Sequence, residues 1–505
     1  MGSSIEINNL TKVFLKNVPP VLDKIQATFP TGKIVGIVGP DGAGKTTLMR
    51  LMAALLLPTE GSIKVAGFDT VKESSQVSNS IGYMPQKFGL YEDLTVMQNL
   101  NLYADLKDLR KEEKKTAFDS LLSFTGLAPF TSRLSGALSG GMKQKLGLAC
   151  ALITKPKVLL LDEPSVGVDP ISRNELWKMT LQLLAEDTTI IWSTAYLEEA
   201  QRCHHVLLLN NGKMLFYGTP QEFKNQTQAT TFEEAFVSRL GGYQEKPSPL
   251  AEARPLIEDQ EKSVITCSQL TRKFKEFIAV DHIDCQVNRG EIFGLIGPNG
   301  AGKSTTFRML CGLLPPTSGT TSILGMSLEQ APSTIRARIG YMAQKFSLYG
   351  NLTVMQNLDF FAGIYNLQEQ QKTDAIKLMV EIFDLKKYAH TLADTLPLGF
   401  KQRLSLACAT MHKPDIIFLD EPTSGVDPIT RREFWGHIKA LVKKKVTIMI
   451  TTHYMDEAEN CDQIALIFAG KIVKQGSPAE LKACTDTSTL EDAFIQLIQG
   501  AGSCR

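Results

Sequence analysis

Gly39-Pro40-Asp41-Gly42-Ala43-Gly44-Lys45-Thr46-Thr47 and Gly297-Pro298-Asn299-Gly300-Ala301-Gly302-Lys303-Ser304-Thr305 decide the fold. Each reads Gly, four residues, then Gly-Lys-Thr or Gly-Lys-Ser, and each lies between an apolar β-rich run and a helical pattern. Glycines let successive backbone N–H groups turn toward a phosphate, the following helix N-terminus favours the anion, and the lysine reaches the terminal oxygens. Such a P-loop predicts nucleotide binding, here twice over. Thr46 and Ser304 are the expected hydroxyl ligands of the accompanying Mg²⁺.

The 258-residue offset between the two loops also links Gln86 to Gln344, Cys150 to Cys408, Glu163 to Glu421 and Phe236 to Phe494. A repeat this long is a duplicated domain rather than a solenoid unit. The 505 residues then divide into domains at 5–240 and 263–500. Between them, residues 241–262 (GGYQEKPSPLAEARPLIEDQEK) mix Pro, Gly and charge without periodicity, which reads as a linker. A flexible chain of about 22 residues spans roughly 25 Å end to end.

Within each half short β-rich runs alternate with helical patterns, predicting an α/β fold on a mostly parallel sheet. Thr95-x-x-Gln98 and Thr353-x-x-Gln356 are capping boxes ahead of apolar-periodic segments, so a helical subdomain interrupts each nucleotide-binding core. Val158-Leu-Leu-Leu-Asp162-Glu163 and Ile416-Ile-Phe-Leu-Asp420-Glu421 are apolar strands ending in acids. A buried strand is a rigid mount. It can set Asp162 and Asp420 over a magnesium ion while Glu163 and Glu421, as general bases, face the attacking water.

Composition narrows the function. Lys+Arg 54 against Asp+Glu 53 leaves a charge of +1 with no long run of either sign, which argues against a nucleic-acid partner. Nine cysteines, an odd number without C-x-x-C spacing and set in apolar contexts such as Ala149-Cys150-Ala151, read as reduced core residues of a cytosolic protein. No apolar run approaches the roughly 18–20 residues that span a bilayer. The start Met1-Gly2-Ser3-Ser4-Ile5-Glu6 has no signal pattern, and Glu6 stands where a myristoylation motif needs Ser or Thr. Cys203-His204-His205 are consecutive, a poor geometry for one ion, so no metal site beyond Mg-ATP is expected.

With these residues in view the chain resembles the ATP-binding cassette (ABC) ATPases over nearly its whole length. Leu138-Ser139-Gly140-Gly141-Met142-Lys143-Gln144 is similar to that family's signature loop, Gln86 and Gln344 to its Q-loop glutamines, and Asp169 and Asp427 to its D-loop aspartates. Thr451-Thr452-His453 resembles the switch-histidine loop, and Phe14 and Phe274 fall where the family stacks an aromatic ring on adenine. The resemblance implies ATP and Mg²⁺ as cofactors, with Thr46, Gln86 and Asp162 around one metal and Ser304, Gln344 and Asp420 around the other. It implies phosphate contacts from Ser139, Gly140 and Gly141. It also implies that each parallel core carries an antiparallel β region and a helical signature subdomain.

Runs such as GYMPQKFGLYEDLTVMQNL, DEPSVGVDP and HYMDEAE are most similar to drug-export ATPases of the ABC-2 type. That likeness implies integral membrane permease subunits as partners, a small-molecule cargo carried by those subunits, and a peripheral place on the inner face of the cell membrane. The permease's coupling helices would dock near residues 87–100 and 345–358, where Phe88, Tyr91, Phe346 and Tyr349 lie.

Two positions depart from the family pattern. The second half reads Leu396-Pro397-Leu398-Gly399 where the first has Leu-Ser-Gly-Gly, and Ala195 stands where the second half has His453. Proline removes the N–H and hydroxyl that Ser139 offers, and alanine cannot hydrogen-bond a phosphate. Because the family's domains pair head to tail, both defects would fall in one site. One complete site, with Glu421 and His453, and one degenerate site, with Glu163, are expected. The alternative reading is a soluble tandem ABC ATPase acting on ribosomes or nucleic acid, whose long charged helical linker and paired intact signatures are missing here. Sugar importers also use tandem cassettes but resemble these runs less.

Overall fold

The computed structural model describes residues 2–15, 18–86, 89–184, 188–240, 248–258, 262–330, 332–344 and 347–503. These form two compact units, in the main residues 1–244 and 245–505.

The first unit is built on two sheets. A six-stranded sheet runs in the order Lys213–Gly218, His205–Asn210, Ile34–Val38, Thr189–Thr194, Val158–Asp162, Ile81–Met84. All neighbours are parallel except the edge pair Lys213–Gly218 and His205–Asn210. The inner strands Ile34–Val38, Val158–Asp162 and Thr189–Thr194 are buried at every residue, as a parallel sheet covered on both faces requires, which is why they read as unbroken apolar runs. Ser3–Lys12, Leu22–Pro30, Glu60–Val65 and Phe68–Asp69 make a separate antiparallel sheet. The second unit repeats both sheets, its parallel core in the order Ile339–Met342, Ile416–Asp420, Thr447–Thr452, Ile292–Ile296, Gln463–Phe468, Lys471–Gly476.

A helical subdomain stands beside each core. In the first unit Val96–Leu106, Lys111–Thr125 and Gly140–Leu152 pack around Leu100, Phe118, Leu122 and Leu146. Both capping boxes form: the Thr95 hydroxyl accepts the Gln98 N–H at 3.2 Å while the Gln98 side chain accepts the Thr95 N–H, and Thr353 with Gln356 does the same. The helices at the domain ends, Phe232–Arg239 and Leu490–Ser503, bury Phe236 and Phe494 in their own units. Among the described residues no helix is long and apolar enough to cross a membrane.

The segment read as a flexible linker behaves differently over residues 248–257. There Leu250 is buried in the second unit's core, and Arg254 donates to the Pro414 carbonyl at 2.8 Å. The apolar residues of this stretch are too few to show periodicity, so its docking left no pattern in the sequence. The remainder of the segment lies largely outside the described residues.

Candidate functional site

Parallel pairing brings the chemistry together. Ile34–Val38 leads into the first P-loop, Val158–Asp162 ends in the acids, and Thr189–Thr194 lies between them, with Val38 level with Thr194 and Asp162 level with Ser193. All three strands end at one edge of the sheet, where an open α/β fold collects its ligands. The second unit aligns Ile296 with Thr452 and Asp420 with Thr451 in the same way.

The loops hold the geometry that phosphate binding needs. Gly44 and Gly302 sit at φ 105° and 106°, which an L side chain rarely adopts, and each begins a helix, Lys45–Met52 or Lys303–Leu310. A Cβ at Gly39 would lie 2.2 Å from the Leu209 carbonyl, and one at Gly297 equally close to Ile467 O. Around them Pro40, Asp41, Gly42 and Ala43, and likewise Pro298, Asn299, Gly300 and Ala301, complete the turns, while Thr47 and Thr305 lie in the first turn of the helices. Lys45 Nζ reaches back to Gly39 O at 2.8 Å and Lys303 Nζ to Gly297 O at 2.7 Å.

Next to each lysine lies the acid pair. Thr46 Oγ1 donates to Asp162 Oδ1 at 3.3 Å, Ser193 Oγ to the same oxygen at 2.6 Å, and Asp162 Oδ2 is buried without a hydrogen-bond partner among the described residues. Ser304 and Thr451 hold Asp420 Oδ1 at 3.2 and 2.6 Å. Burial pushes the pKa of both aspartates up against the lowering effect of these hydroxyls. Sequence alone does not mark Ser193 and Thr451 as carboxylate-positioning residues, since a hydroxyl in a strand carries no signal until pairing sets it beside an acid.

Glu163 and Glu421 sit at φ 50° and 47°, strained for a residue with a side chain. Each is pinned through its N–H, which reaches the carbonyl and hydroxyl oxygens of Ser193 or Thr451 at 2.9–3.1 Å. Gln86 Nε2 donates to Glu163 Oε2 at 2.6 Å, and Gln344 Nε2 to Glu421 Oε2 at 2.8 Å. The units then diverge. Glu421 meets His453 Nδ1 at 3.2 Å, whereas Glu163 has Lys45 Nζ at 3.3 Å and the small buried Ala195 at the histidine's place. Burial alone would raise Glu421, but His453, Lys303 and Gln344 together outweigh it and hold the carboxyl below its ordinary value.

The signature loops also differ. Exposed Ser139 caps the helix Gly140–Leu152, accepting the Met142 N–H at 3.3 Å, with Gly140 and Gly141 in its first turn. Pro397 takes that place before Leu398–Thr410 and provides no side-chain cap. Leu398 leans over the loop after Glu421: a Cβ at Gly425 would be 3.3 Å from Leu398 Cδ2, while one at the equivalent Gly167 would meet nothing within 4 Å among the described residues.

Phe14 and Phe274 are exposed rings beside Lys12 and Arg272, where the strands Ser3–Lys12 and Ser263–Phe274 run out. The hairpin beyond Phe14 reaches the P-loop, since a Cβ at Gly44 would lie 2.8 Å from Val21 O. Tyr91 and Tyr349 are exposed, and Tyr349 packs edge-on against Phe360; Phe88 and Phe346 lie outside the described residues. Cys203 donates to Glu199 O, His204 accepts the Ile34 N–H, and His205 stacks on Tyr217.

The family profile described as ABC transporter matches residues 22–166 and again 280–424. Over an alignment 564 positions long that takes in 98% of this chain and 97% of the relative, the sequence is 50% identical to the "Probable multidrug ABC transporter ATP-binding protein YbhF" of Escherichia coli. It is 35% identical over 235 residues, 46% of this chain and 71% of the relative, to the "Daunorubicin/doxorubicin resistance ATP-binding protein DrrA" of Streptomyces peucetius. The "Nod factor export ATP-binding protein I" of Cupriavidus metallidurans is 36% identical over 220 residues, 43% of this chain and 73% of its own length.

Proposed function

This chain belongs to the ABC transporter family as an ATP-binding protein with two ATPase domains, and from that premise we propose that it is the motor of a small-molecule exporter whose membrane subunits are separate polypeptides. The observation that carries the reading is the duplicated constellation of lysine, hydroxyl, aspartate, glutamate and glutamine at the C-terminal edge of each parallel sheet. Names of relatives that speak of multidrug transport and drug resistance support the export direction. The exposed Tyr91 and Tyr349 offer the permease of an ABC-2 system a docking face, with the chain peripheral on the membrane's inner side.

Mg²⁺ fits the residues present. It takes oxygen ligands, usually one or two from protein beside those of the phosphates. Thr46 with Asp162, and Ser304 with Asp420, are such oxygens, with Gln86 and Gln344 beside them. Asp162 Oδ2 is buried without a partner, and both aspartates carry the burial cost that a divalent cation would relieve. The bound ion would neutralise charge on the transferring phosphoryl group.

The protein's own groups do the rest. Lys45 and Lys303, freed from their loop carbonyls, would reach the terminal phosphate oxygens, and backbone N–H groups of residues 42–47 and 300–305 would cradle the others. Glu421 would take the proton of the attacking water, its carboxylate kept ionised by His453. With head-to-tail pairing of the halves, Ser139, Gly140 and Gly141 would close on the nucleotide held by the second P-loop. The first P-loop, lacking a histidine, would face Pro397 and Leu398. Hydrolysis then belongs to one site and a holding role to the other.

Reconstitution tests the division of labour. Proteoliposomes containing this chain with its co-purified membrane subunits should export substrate on ATP addition, and those with the chain alone should not. Transport by the chain without another polypeptide would refute the motor-subunit reading.

A further inference from the structure

Glu457 sits on the short helix Met455–Ala458, close behind His453 in the chain, and is 1% exposed. Three groups converge on its carboxylate. The Thr452 hydroxyl donates to Oε2 at 2.6 Å, the Thr423 hydroxyl donates to Oε1, and Arg431 Nε lies 3.7 Å from Oε1. Thr452 adjoins His453, whereas Thr423 lies in the loop after Glu421 and Arg431 in the helix Pro428–Lys443. One buried acid therefore joins the segment that carries the histidine to the segment that carries the general base.

Tyr454 closes the other side of the histidine. Its ring centroid lies 4.2 Å from that of His453, its hydroxyl accepts the Gly425 N–H at 3.3 Å, and the Arg431 guanidinium stands 4.5 Å over the ring. The Tyr454 N–H donates to Thr452 Oγ1 at 2.9 Å. Because that hydroxyl accepts from Tyr454 and donates to Glu457, its orientation is fixed, and the backbone on both sides of His453 is fixed with it.

The first unit keeps the acid and leaves this link open. Glu199, at the Glu457 position, receives Trp192 Nε1 at 2.9 Å and Thr194 Oγ1 at 2.7 Å, both on Oε2. Its Oε1 and the Ser165 hydroxyl, at the Thr423 position, are buried without a hydrogen-bond partner among the described residues. Threonine is stiff at the torsion that aims its hydroxyl, a restraint that serine lacks. The link is made where a histidine needs holding and is open where Ala195 replaces it.

We propose that Glu457 is a positioning residue for hydrolysis in the second unit, holding His453 against Glu421 through its bonds to Thr423 and Thr452. The inference rests on the assignment of Glu421 and His453 to the hydrolytic site. Glu457 acts through the histidine, whose contact counts most as charge develops in the transition state, so its loss lowers kcat and leaves KM for ATP unchanged.

Steady-state ATPase assays on the full chain with its co-purified membrane subunits test this. Thr423→Val keeps the shape and removes the donor; it should lower kcat about tenfold, within the range that a small misplacement of a catalytic group costs, with KM unmoved. Glu457→Ala should fall at least as far, and if the Arg431 charge left behind prevents folding, Thr423→Val still decides, since it leaves that ion pair intact. Added to His453→Ala, Thr423→Val should cause no further loss in the residual single-turnover rate, because the two act as a unit. An unchanged kcat in Thr423→Val, a loss confined to KM, or an equal further loss once His453 is gone overturns the positioning role. If His453→Ala itself costs nothing, the assignment of the hydrolytic site fails and the positioning role falls with it; if His453→Ala is slow and Thr423→Val is not, the positioning role alone fails.

Discussion

Glu163 and Glu421 occupy the same strained backbone position and receive the same glutamine hydrogen bond, and the neighbour that sets them apart chemically is His453 against Ala195. A histidine beside a general base keeps the carboxylate ionised and supplies a donor to charge that develops on the phosphate, where electrostatic contacts count most. Loss of a general base costs about 10²–10⁴-fold in rate, so Glu421→Gln should nearly silence turnover. Glu163→Gln, in the site that the proposed pairing would leave short of a histidine and a signature serine, should lower it only severalfold. Steady-state phosphate release from both variants with membrane partners present decides between unequal and equal sites; equal losses would remove the functional meaning of the two departures. The glutamates and their acidic strands were legible from sequence because each stands next to a motif. The positive φ that aims them was not, since it is imposed by the hydrogen bonds of Ser193 and Thr451 from a neighbouring strand.

Among the elements, the helix Pro428–Lys443 and the loop before Ile416–Asp420 carry two histidines that their first-unit counterparts lack. His437 and His412 stand where the first unit has Met179 and Thr154. His437 contacts Ser248 of the segment 248–257 at 2.6 Å, and His412 stacks on Tyr365. Burial, helped by nearby Arg403 and Arg254 respectively, pushes both down from the ordinary 6.5 to about 4. The unfolded chain therefore binds more protons between these values. The stability that the neutral rings contribute is complete above pH 6.5 and is lost as pH falls toward 4, about 1–3 kcal/mol for each. Calorimetry across that range should show the second unit's transition falling faster than the first's, and His437→Met should flatten part of the fall. An unchanged pH dependence in that variant would place the acid sensitivity elsewhere.

For the molecule as a whole the duplication predicts stoichiometry. Both P-loops, both acid pairs and both exposed phenylalanines are present, so the chain should bind two ATP molecules. Stacking of a base on an aromatic side chain contributes about 1–3 kcal/mol, and Phe14→Ala or Phe274→Ala should weaken one of the two bindings by that amount while leaving the other. Equilibrium binding to the Glu421→Gln variant, which should hold ATP without turnover, reads the number directly. Saturation at one nucleotide would contradict the prediction.

The P-loops, the capping boxes and the apolar strands that end in acids carry their meaning locally: a glycine pattern, a Thr-x-x-Gln spacing and an unbroken apolar run each follow from backbone geometry over a few residues. From them the sequence by itself determined two α/β nucleotide-binding domains, their helical insertions and most candidate site residues. Tertiary structure decided what depends on distance along the chain. Parallel pairing set Ser193 and Thr451 on the aspartates and His453 on Glu421, across about 30 residues. It also decided that Leu398 covers the loop after Glu421, and that residues 248–257 dock on the second unit through Leu250 and Arg254. Such contacts join segments that carry no shared local pattern, and only the folding of the sheets brings them together.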